Sequence, residues 1–234
     1  MNSAATVTVH LEQLARRAGR ELESAPADEI VRWAVQTFGA RFAVASSMQD
    51  AVLVHLMSQI APGVDVLFLD TGYHFAETLG TRDAVAATYD VNLITLTPQQ
   101  TVAEQDATHG PKLHDRDPDR CCGLRKVAPL DRALQRYDAW ATGLRRAEAP
   151  TRAETPVVSY DTRRGKVKVA PIAAWSEQDV EDYIVKHGIL VNPLLTAGYP
   201  SIGCAPCTRA VAAGEDPRAG RWAGSVKTEC GIHR

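Results

Sequence analysis

Five cysteines carry the clearest chemical information in this chain. Cys121 and Cys122 are adjacent, Cys204 and Cys207 form a CxxC motif, and Cys230 stands alone near the end. An odd number of cysteines argues against a disulfide framework. The first twenty residues also lack the apolar core of a signal peptide. We therefore expect a cytoplasmic protein whose thiols stay reduced.

The first four cysteines have the spacing of an inorganic centre. A CxxC motif is common in metal sites and in redox dithiols, but Cys204 and Cys207 lie in a late, Gly- and Pro-rich region rather than after a first strand. The Cα atoms of neighbouring residues are only about 3.8 Å apart. Cys121 and Cys122 therefore fit poorly on one tetrahedral zinc and more easily reach two irons of a cluster. The pattern favours an iron–sulfur cluster, while zinc and a metal-free protein stay open.

The fifth cysteine, Cys230, lies in a segment that can reach into a site and leave it again, because chain ends move unless they are tied down. Lys227, His233 and Arg234 would favour its thiolate, which is the nucleophilic form. Glu229 would oppose it. The alternative is an unused surface cysteine.

Three polar loops follow predicted strands. They are SSMQD at 46–50, LDTG at 69–72 and TGLRR at 142–146. Free N–H groups at a helix start bind anions, and paired arginines suit phosphate or sulfate. Each loop alone could be a helix cap, a turn or a solvated loop. Ligands bind at the carboxyl ends of parallel strands, so the convergence of all three loops there favours a ligand site.

Hydrophobic periodicity predicts an α/β fold. Short apolar strands are expected at 41–46, 64–70, 91–97, 138–144 and 166–172. Helices are expected at 10–24, 26–39, 49–60, 81–90, from 97 to about 109, at 121–137 with an interruption near Pro129, and after a capping box at 176–179. This alternation predicts a parallel twisted sheet flanked by helices. The polar stretch 145–156 is expected to be a mobile loop.

Length and composition limit the function classes. The chain has 234 residues, 45% of them hydrophobic and 23% charged, with a formal net charge of −2. We expect one α/β domain over 1–234, with a flexible C-terminal tail from about 222 to 234. A charge near zero gives no overall attraction to nucleic acid, and no apolar run approaches the roughly 20 residues of a membrane span. We therefore expect neither nucleic acid nor membrane as a partner.

Several longer motifs resemble one family. They are LFLDTGYHFAET (67–78), CCGLRK (121–126), TGLRR (142–146), PTR (150–152), GCAPCTR (203–209), DPRAGRW (216–222) and KTECGIH (227–233). Together they resemble the assimilatory adenylyl-sulfate reductases of the phosphosulfate reductase group, over about residues 40–234. The paired cysteines and the terminal ECGxH carry most of this specificity.

This resemblance implies an adenine nucleotide alpha hydrolase-like fold, related to the N-type ATP pyrophosphatases. It implies a [4Fe–4S] cluster on Cys121, Cys122, Cys204 and Cys207. It also implies that Cys230 attacks the sulfur of adenosine 5′-phosphosulfate, so that AMP leaves and an S-sulfocysteine remains. Thioredoxin or glutaredoxin would then release sulfite by attacking that cysteine sulfur.

The resemblance also assigns the remaining site residues. The cations implied around the sulfate, with one imidazole, are Lys126, Arg152, Arg218, Arg221 and His233. Ser46 and Asp50 would hold the nucleotide, and Gly143 would let the backbone approach the adenine or ribose. As a hypothesis, the cluster tunes the charge around Lys126 without passing electrons.

Alternative functions remain at this stage. The first loop has SSMQD where pyrophosphatases of the wider superfamily carry SGGxDS, which argues against ATP hydrolysis to AMP. Relatives that act on the 3′-phosphorylated substrate usually lack the paired cysteines and the CxxC, so the non-phosphorylated substrate is favoured. A zinc-stabilised nucleotide-binding module is the other alternative. The sequence leaves the oligomeric state open, a homo-oligomer included.

Overall fold

A computed structural model describes residues 3–225 and 227–233, with side chains from residue 9 onward. Its centre is a six-stranded sheet in the order β3-β2-β1-β4-β6-β5. The strands are β1 Phe42–Ser46, β2 Val64–Leu69, β3 Val91–Leu96, β4 Ala139–Thr142, β5 Val158–Asp161 and β6 Lys166–Val169. All neighbouring strands are parallel except β5 and β6, which pair antiparallel.

Helices connect the strands across both faces of the sheet. The described helices are α1 Ser3–Glu21, α2 Ala27–Phe38, α3 Val52–Ile60, α4 Ala76–Thr88, α5 Val102–His109, α6 Leu113–Arg116, α7 Pro118–Cys122, α8 Ala128–Ala133 and α9 Glu177–His187. Short 3₁₀ turns lie at Gly39–Arg41, Leu134–Arg136, Arg146–Glu148, Pro150–Arg152, Pro193–Leu195 and Ala205–Cys207. None of the described helices is long and apolar enough to cross a membrane.

Alternation along the strands gives the sheet two buried faces. In β1, Phe42 and Val44 belong to the larger apolar core, together with residues of α2 and α3. Ala43 between them belongs to a smaller core with Trp140 of β4 and Leu130 of α8. Successive strand residues point to opposite faces, so both faces need an apolar cover. The predicted parallel α/β sheet with helices on both faces is therefore confirmed.

The structure corrects several predicted elements. The helices predicted at 10–24 and 81–90 begin earlier, at Ser3 and Ala76. The helix expected from Thr97 and Pro98 begins at Val102, because Thr101 forms a reciprocal capping box with Glu104. Strand β5 is absent from the sequence-based prediction, since its short segment VSYD is half polar and lies at the sheet edge. The predicted capping box of α9, between Ser176 and Asp179, is confirmed.

The helical stretch 121–137 is irregular at a different place from the one predicted. The chain stays helical from Pro118 to Arg136, and its irregularity is a π-helical turn at Gly123–Val127. Pro129 follows this turn and has no N–H for the carbonyl four residues earlier, which favours a local change of helical winding. Such π turns occur frequently at functional sites.

The stretch 145–156, expected to be a mobile loop, is fixed by specific contacts. Two 3₁₀ turns shape it, at Arg146–Glu148 and Pro150–Arg152. Arg146 donates to the Thr155 carbonyl at 2.8 Å and pairs with Glu23 of the chain before α2 at 2.5 Å. Composition alone suggested mobility here, whereas the long-range partners that hold the segment are invisible in a local pattern.

Candidate active site

A deep pocket lies at the carboxyl ends of the central strands. The loop after β1 contributes Ser46 and Asp50, the end of β2 contributes Leu69, and the loop after β4 contributes Gly143. The C-terminal segment closes the pocket with Cys230. The expected convergence of strand ends and their loops at one edge of the sheet is thus present.

The residues predicted for substrate binding and catalysis meet in this pocket. Those lining it are Ser46, Asp50, Lys126, Gly143, Arg152, Arg218, Arg221, Cys230 and His233. They come from segments up to 187 positions apart in the chain, from Ser46 to His233 (233 − 46). A meeting of this kind cannot result from local sequence, so it supports a common role.

The loop after β1 is shaped by its own side chains. The Ser46 hydroxyl accepts a hydrogen bond from Met48 N at 3.3 Å, and Met48 takes a positive φ of 59°. The Asp50 carboxylate accepts from Val52 N at 3.0 Å, at the start of α3. Burial raises the pKa of Asp50, and this helix-start hydrogen bond and the charge of Arg145 only partly oppose the effect. The loop therefore offers a polar, dehydrated floor.

Cations concentrate on the opposite wall of the pocket. The Arg221 guanidinium donates to Ser201 Oγ at 3.2 Å and to the Ile202 carbonyl at 3.1 Å, and its Nε is buried without a partner among the described residues. A Cβ at Gly203 would lie 2.5 Å from Arg221 Nη2, so glycine makes room for this guanidinium. Burial lowers the pKa of Arg221. A buried cation with a free donor is suited to bind an oxyanion.

A second, small cavity contains the other four cysteines. Cys121, Cys122, Cys204 and Cys207 line it. Thr71 also lines it, and its hydroxyl lies 3.3 Å from Cys204 Sγ. Burial raises the pKa of Cys121 and of Cys207 to about 11 in each case. These thiols would keep their protons at neutral pH unless a bound metal displaced them.

The arrangement of the four cysteines does not resemble a single-ion site. The described residues contain no group of three or more His, Cys, Asp or Glu side chains arranged to hold one metal ion. A tetrahedral zinc requires all four sulfur atoms about 2.3 Å from one point. A larger cluster accepts thiolates that are further apart, and cluster sites typically use four cysteines. Four cysteines around one cavity are thus a donor set that fits such a cluster.

Lys126 lies between the two cavities and lines both. The π-helical turn carries it, one turn after the adjacent cysteines. Burial opposes its charge, but the sulfur atoms of Cys204, Cys230 and Cys122 outweigh burial and raise the pKa of its ammonium group. Lys126 is therefore a persistent positive charge that faces both sets of sulfur atoms.

Arg125, next to Lys126, was missed by the sequence analysis. Its side chain is buried and donates to the Thr71 carbonyl and, at 3.0 Å, to Gln105 Oε1. The guanidinium also lies 5.3 Å from the centre of the Tyr73 ring. Arg125 thus ties the cysteine-bearing helix to the loop after β2. The sequence showed only a basic pair, which a solvated helix face would also explain.

Cys230 is buried in the wall of the substrate pocket, with 7% of its surface exposed. A hydrogen bond with Cys122 lowers its pKa well below the usual value, and the charges of Lys126 and Arg221 add to this effect against burial. The tail cation Lys227, expected to favour the thiolate, instead pairs with Asp119. Cations of the pocket wall therefore take the role that the sequence assigned to the tail.

The other two residues expected to favour the Cys230 thiolate are His233 and Arg234. Burial holds the pKa of His233 well below its usual range, so this imidazole is neutral. Its ring stacks on Trp140 with a centroid distance of 6.3 Å. Arg234 lies outside the described residues. Besides the hydrogen bond with Cys122, the groups that lower the pKa of Cys230 are therefore Lys126, the main chain of Ile232 and Arg221.

Glu229, expected to oppose the thiolate, is neutralised by ion pairs. Its two carboxylate oxygens accept from Arg152 Nε and Nη2, both at 2.8 Å, and Arg218 Nη2 lies 3.4 Å away. The Thr151 hydroxyl donates to the same carboxylate at 2.9 Å. These contacts hold Cys230 in the pocket, and the C-terminal segment expected to be flexible is docked in this structure.

Comparison with known proteins identifies the family. Residues 40–210 match the family model described as the phosphoadenosine phosphosulfate reductase domain. A protein of Streptomyces coelicolor named adenosine 5′-phosphosulfate reductase is 69% identical over 226 residues, covering 97% of this chain and 96% of the relative. A Mycobacterium tuberculosis protein of the same name is 52% identical over 240 residues, covering 95% and 94% of the two chains.

Solved structures agree on the fold. The crystal structure of a phosphoadenylyl-sulfate reductase from Candida auris, a phosphate complex, has a TM-score of 0.73 at 29% identity and covers 84% of this chain and 96% of that one. An FMN adenylyltransferase from Candida glabrata has a TM-score of 0.56 at 12% identity, covering 88% and 74% of the chains. The fold is therefore that of the adenine nucleotide alpha hydrolases, and the chain belongs to the phosphoadenosine phosphosulfate reductase family, together with the adenosine 5′-phosphosulfate reductases.

Proposed function

We propose that this enzyme reduces adenosine 5′-phosphosulfate to sulfite and AMP, with Cys230 as the nucleophile. The observation that carries this proposal is the burial of Cys230 among Lys126, Arg218 and Arg221, at the strand ends where a nucleotide would bind. A thiolate beside several cations is suited to attack an electrophile that is itself anionic. A phosphosulfate is such an electrophile, and relatives named for this substrate support the choice.

The reaction divides into two steps. In the first, the Cys230 thiolate attacks the substrate sulfur, the bond from sulfur to the bridging oxygen breaks, and AMP leaves with both bonding electrons. Cys230 then carries a sulfo group. In the second, a thiolate of a reduced dithiol attacks Cys230 Sγ and releases sulfite. The second thiol of that dithiol resolves the mixed disulfide, so the dithiol supplies both electrons and Cys230 is regenerated.

The pocket cations have distinct roles in the first step. Negative charge moves onto the leaving phosphate oxygen as the bond breaks, and preorganised cations stabilise that charge in a dehydrated site. We assign this role to Lys126, Arg218 and Arg221, with Arg152 holding the nucleophile-bearing segment through Glu229. The neutral His233 would donate one hydrogen bond to a sulfate oxygen.

The nucleotide would occupy the other end of the pocket. Ser46 and Asp50 lie before the start of α3, where hydroxyl and main-chain groups can hold the ribose and the α-phosphate. Only Ile172 Cδ1 and Leu53 Cδ2, at 3.9 and 4.0 Å, lie within 4 Å of a Cβ placed at Gly143, among the described residues. The Gly143 backbone is therefore free to approach the adenine or ribose.

We propose a [4Fe–4S] cluster as the resident cofactor. Cys121, Cys122, Cys204 and Cys207 would hold it, in the cavity they share with Thr71 and Lys126. When bound, it supplies a fixed negative charge beside Lys126 and a covalent link between two distant parts of the chain. Lys126 would keep its ammonium aimed at the sulfate, and the electrons would come from the dithiol alone.

Two further assignments complete the proposal. The dithiol would be thioredoxin or glutaredoxin, because the second step needs two neighbouring thiols. All five cysteines must stay reduced for ligation and attack, which favours work in the cytoplasm.

The experiment is a sulfite-release assay with anaerobically purified protein. We expect brown protein that releases sulfite from adenosine 5′-phosphosulfate, and markedly less from its 3′-phosphorylated analogue. The Cys230→Ser variant should keep its colour and its affinity for AMP but release no sulfite. Normal turnover by that variant would refute the nucleophile. Colourless, zinc-containing protein without sulfite release would instead support a nucleotide-binding module.

A further inference from the structure

A third cavity lies beside the substrate pocket and shares Arg152 and His233 with it. Its volume is about 400 Å³. Lys168 of β6 and Ser159 of β5 form its floor, and Thr228 and Glu229 of the C-terminal segment form its opposite wall. The cavity therefore joins the sheet edge to the segment that carries Cys230. None of the roles proposed above uses Lys168.

Lys168 is the unbalanced charge of this cavity. Its ammonium lies 5.3 Å from the centre of the Trp140 ring, and within the described residues it makes neither an ion pair nor a hydrogen bond. Burial lowers the pKa of Lys168 to about 8; the charges of Arg164 and Arg152 add to the shift, and those of Asp161 and Glu229 only partly oppose it. A cation that is dehydrated and surrounded by other cations gains most from an anionic ligand.

The carboxylate of the cavity wall, Glu229, does not pair directly with Lys168. Glu229 is already held by Arg152 and Arg218, and Glu148 pairs with Arg152 at 2.5 Å. Both carboxylates are thus engaged by arginines, and neither forms an ion pair with the Lys168 ammonium within the described residues.

Hydroxyl groups supply further hydrogen-bond donors. Thr155, Ser159 and Thr228 line the cavity, and their hydroxyls have no partner in the described part of the chain. An ammonium group with several free hydroxyls around it is suited to a compact ligand with acceptor oxygens on several sides.

We infer that this cavity binds a small inorganic oxyanion of the sulfite, sulfate or phosphate type, with Lys168 as its counter-ion. The anion would connect β5 and β6 to Thr228 and so favour the docked position of Cys230. Under the proposed function, sulfite is the product of the reaction. The three anions share the same binding chemistry, and the separate titrations below show which of them the cavity prefers. The binding site itself does not depend on the reaction.

The test measures anion binding to the AMP-saturated holoenzyme by calorimetry, with sulfite, sulfate and phosphate in separate titrations. Lys168→Met should weaken binding of the preferred anion about tenfold or more, as expected for the loss of a charge-assisted contact. Lys166→Met is the matched control, because Lys166 lies on the same strand and face but does not line the cavity. Equal affinity in the Lys168→Met variant, or equal losses in both variants, would overturn the inference.

A crystal soaked in selenate gives an independent answer. Anomalous density beside Lys168 supports the site, and density confined to the pocket around Arg221 contradicts it. Sulfite release from adenosine 5′-phosphosulfate is measured in parallel. Anion binding without sulfite release would refute the proposed reaction and leave the inference standing, whereas sulfite release without binding at Lys168 would do the opposite.

Discussion

The cavity lined by four cysteines is held by main-chain hydrogen bonds, whereas the docked segment that carries Cys230 is held by side chains. Around the four, main-chain bonds join distant elements: Ala205 N donates to the Tyr73 carbonyl at 2.7 Å, and Trp222 N donates to the Cys207 carbonyl at 2.9 Å. Buried Arg125 adds a bond to the main chain of Thr71. The cysteine cavity is therefore part of the folded framework.

The segment 227–233 is fixed by side-chain contacts, most of them charged. Among the described residues, its long-range hydrogen bonds and ion pairs use the side chains of Arg152, Arg163, Arg164, Arg218 and Lys227, with the Thr151 hydroxyl. His233 also stacks on Trp140, and Ile232 packs against the smaller core. Its main-chain bond to another main-chain group is local, from His233 N to the Cys230 carbonyl at 3.1 Å. Within the described residues, the segment can therefore leave the pocket without breaking a long-range bond between two main-chain groups; what it breaks are side-chain contacts, including arginine bonds to its own carbonyls. This difference suits a fixed cysteine cavity beside a thiol, Cys230, that must react first with the substrate and then with the dithiol.

The shared residue Lys126 should give the largest effect of the predicted substitutions. Lys126→Met removes the cation that faces both regions, and we expect kcat for sulfite release to fall about a hundredfold or more, with a smaller change in AMP affinity. Steady-state kinetics and AMP calorimetry measure the two. Lys186→Met on the exposed side of α9 is the control. Equal losses in AMP affinity and kcat would assign Lys126 to ordinary binding.

A substitution at Arg125 should damage the framework but not the docking of the tail. Arg125→Met leaves the Thr71 carbonyl and Gln105 without their charged donor, and we expect the free energy of unfolding to fall by about 2–4 kcal/mol. Denaturant unfolding and iron content per chain measure this change. Arg120→Met, on the exposed side of the same helical stretch, is the control. Unchanged stability and iron content would contradict the framework role.

A substitution at Glu229 should loosen the docked segment and leave the framework intact. Glu229→Gln removes the charge held by Arg152 and Arg218, and we expect Cys230 to react with iodoacetamide about tenfold faster in an anaerobic holoenzyme, because charged hydrogen bonds of this kind contribute about 1.5–3 kcal/mol. Unfolding stability should change little. Glu215→Gln is a matched control, since Glu215 also pairs with an arginine, Arg209, but on the surface. Slower alkylation would show that Glu229 exposes the thiol instead.

Acid should release the docked segment gradually. Burial tends to raise the pKa of Glu229, but hydrogen bonds and charges from Arg152 and Arg218 outweigh it and lower the value from 4.5 to about 2. The native pKa is depressed, so docking stabilisation is complete above pH 4.5 and is lost as the pH falls towards about 2. The protection of the amides of residues 227–233 against hydrogen exchange, relative to the unprotected rate at each pH, should fall over this range. The Glu229→Gln variant should have fast exchange throughout, and an unchanged wild-type profile would argue against the ion pair.

The strands, and which residues would meet in one pocket, could be predicted because their information is local or motif-like. Apolar runs mark β1 to β4 and β6, and the cysteine spacing alone separates four sulfur atoms from a fifth. The partners of Glu229 could not be predicted, since Arg152 lies 77 positions away and meets it only in the folded chain. Arg125 and Lys168 were missed for the same reason. Their role depends on burial, which a basic residue in a mixed sequence does not reveal.

The central claim is that Cys230 takes the sulfo group from the nucleotide. Its most direct test is mass spectrometry of the C-terminal peptide after anaerobic treatment with adenosine 5′-phosphosulfate and no dithiol. We predict one sulfo group on Cys230, absent in Cys230→Ser and removed with release of sulfite when thioredoxin is added. An unmodified Cys230 in protein that has released AMP from the substrate, or a sulfo group on any other residue, would contradict the account.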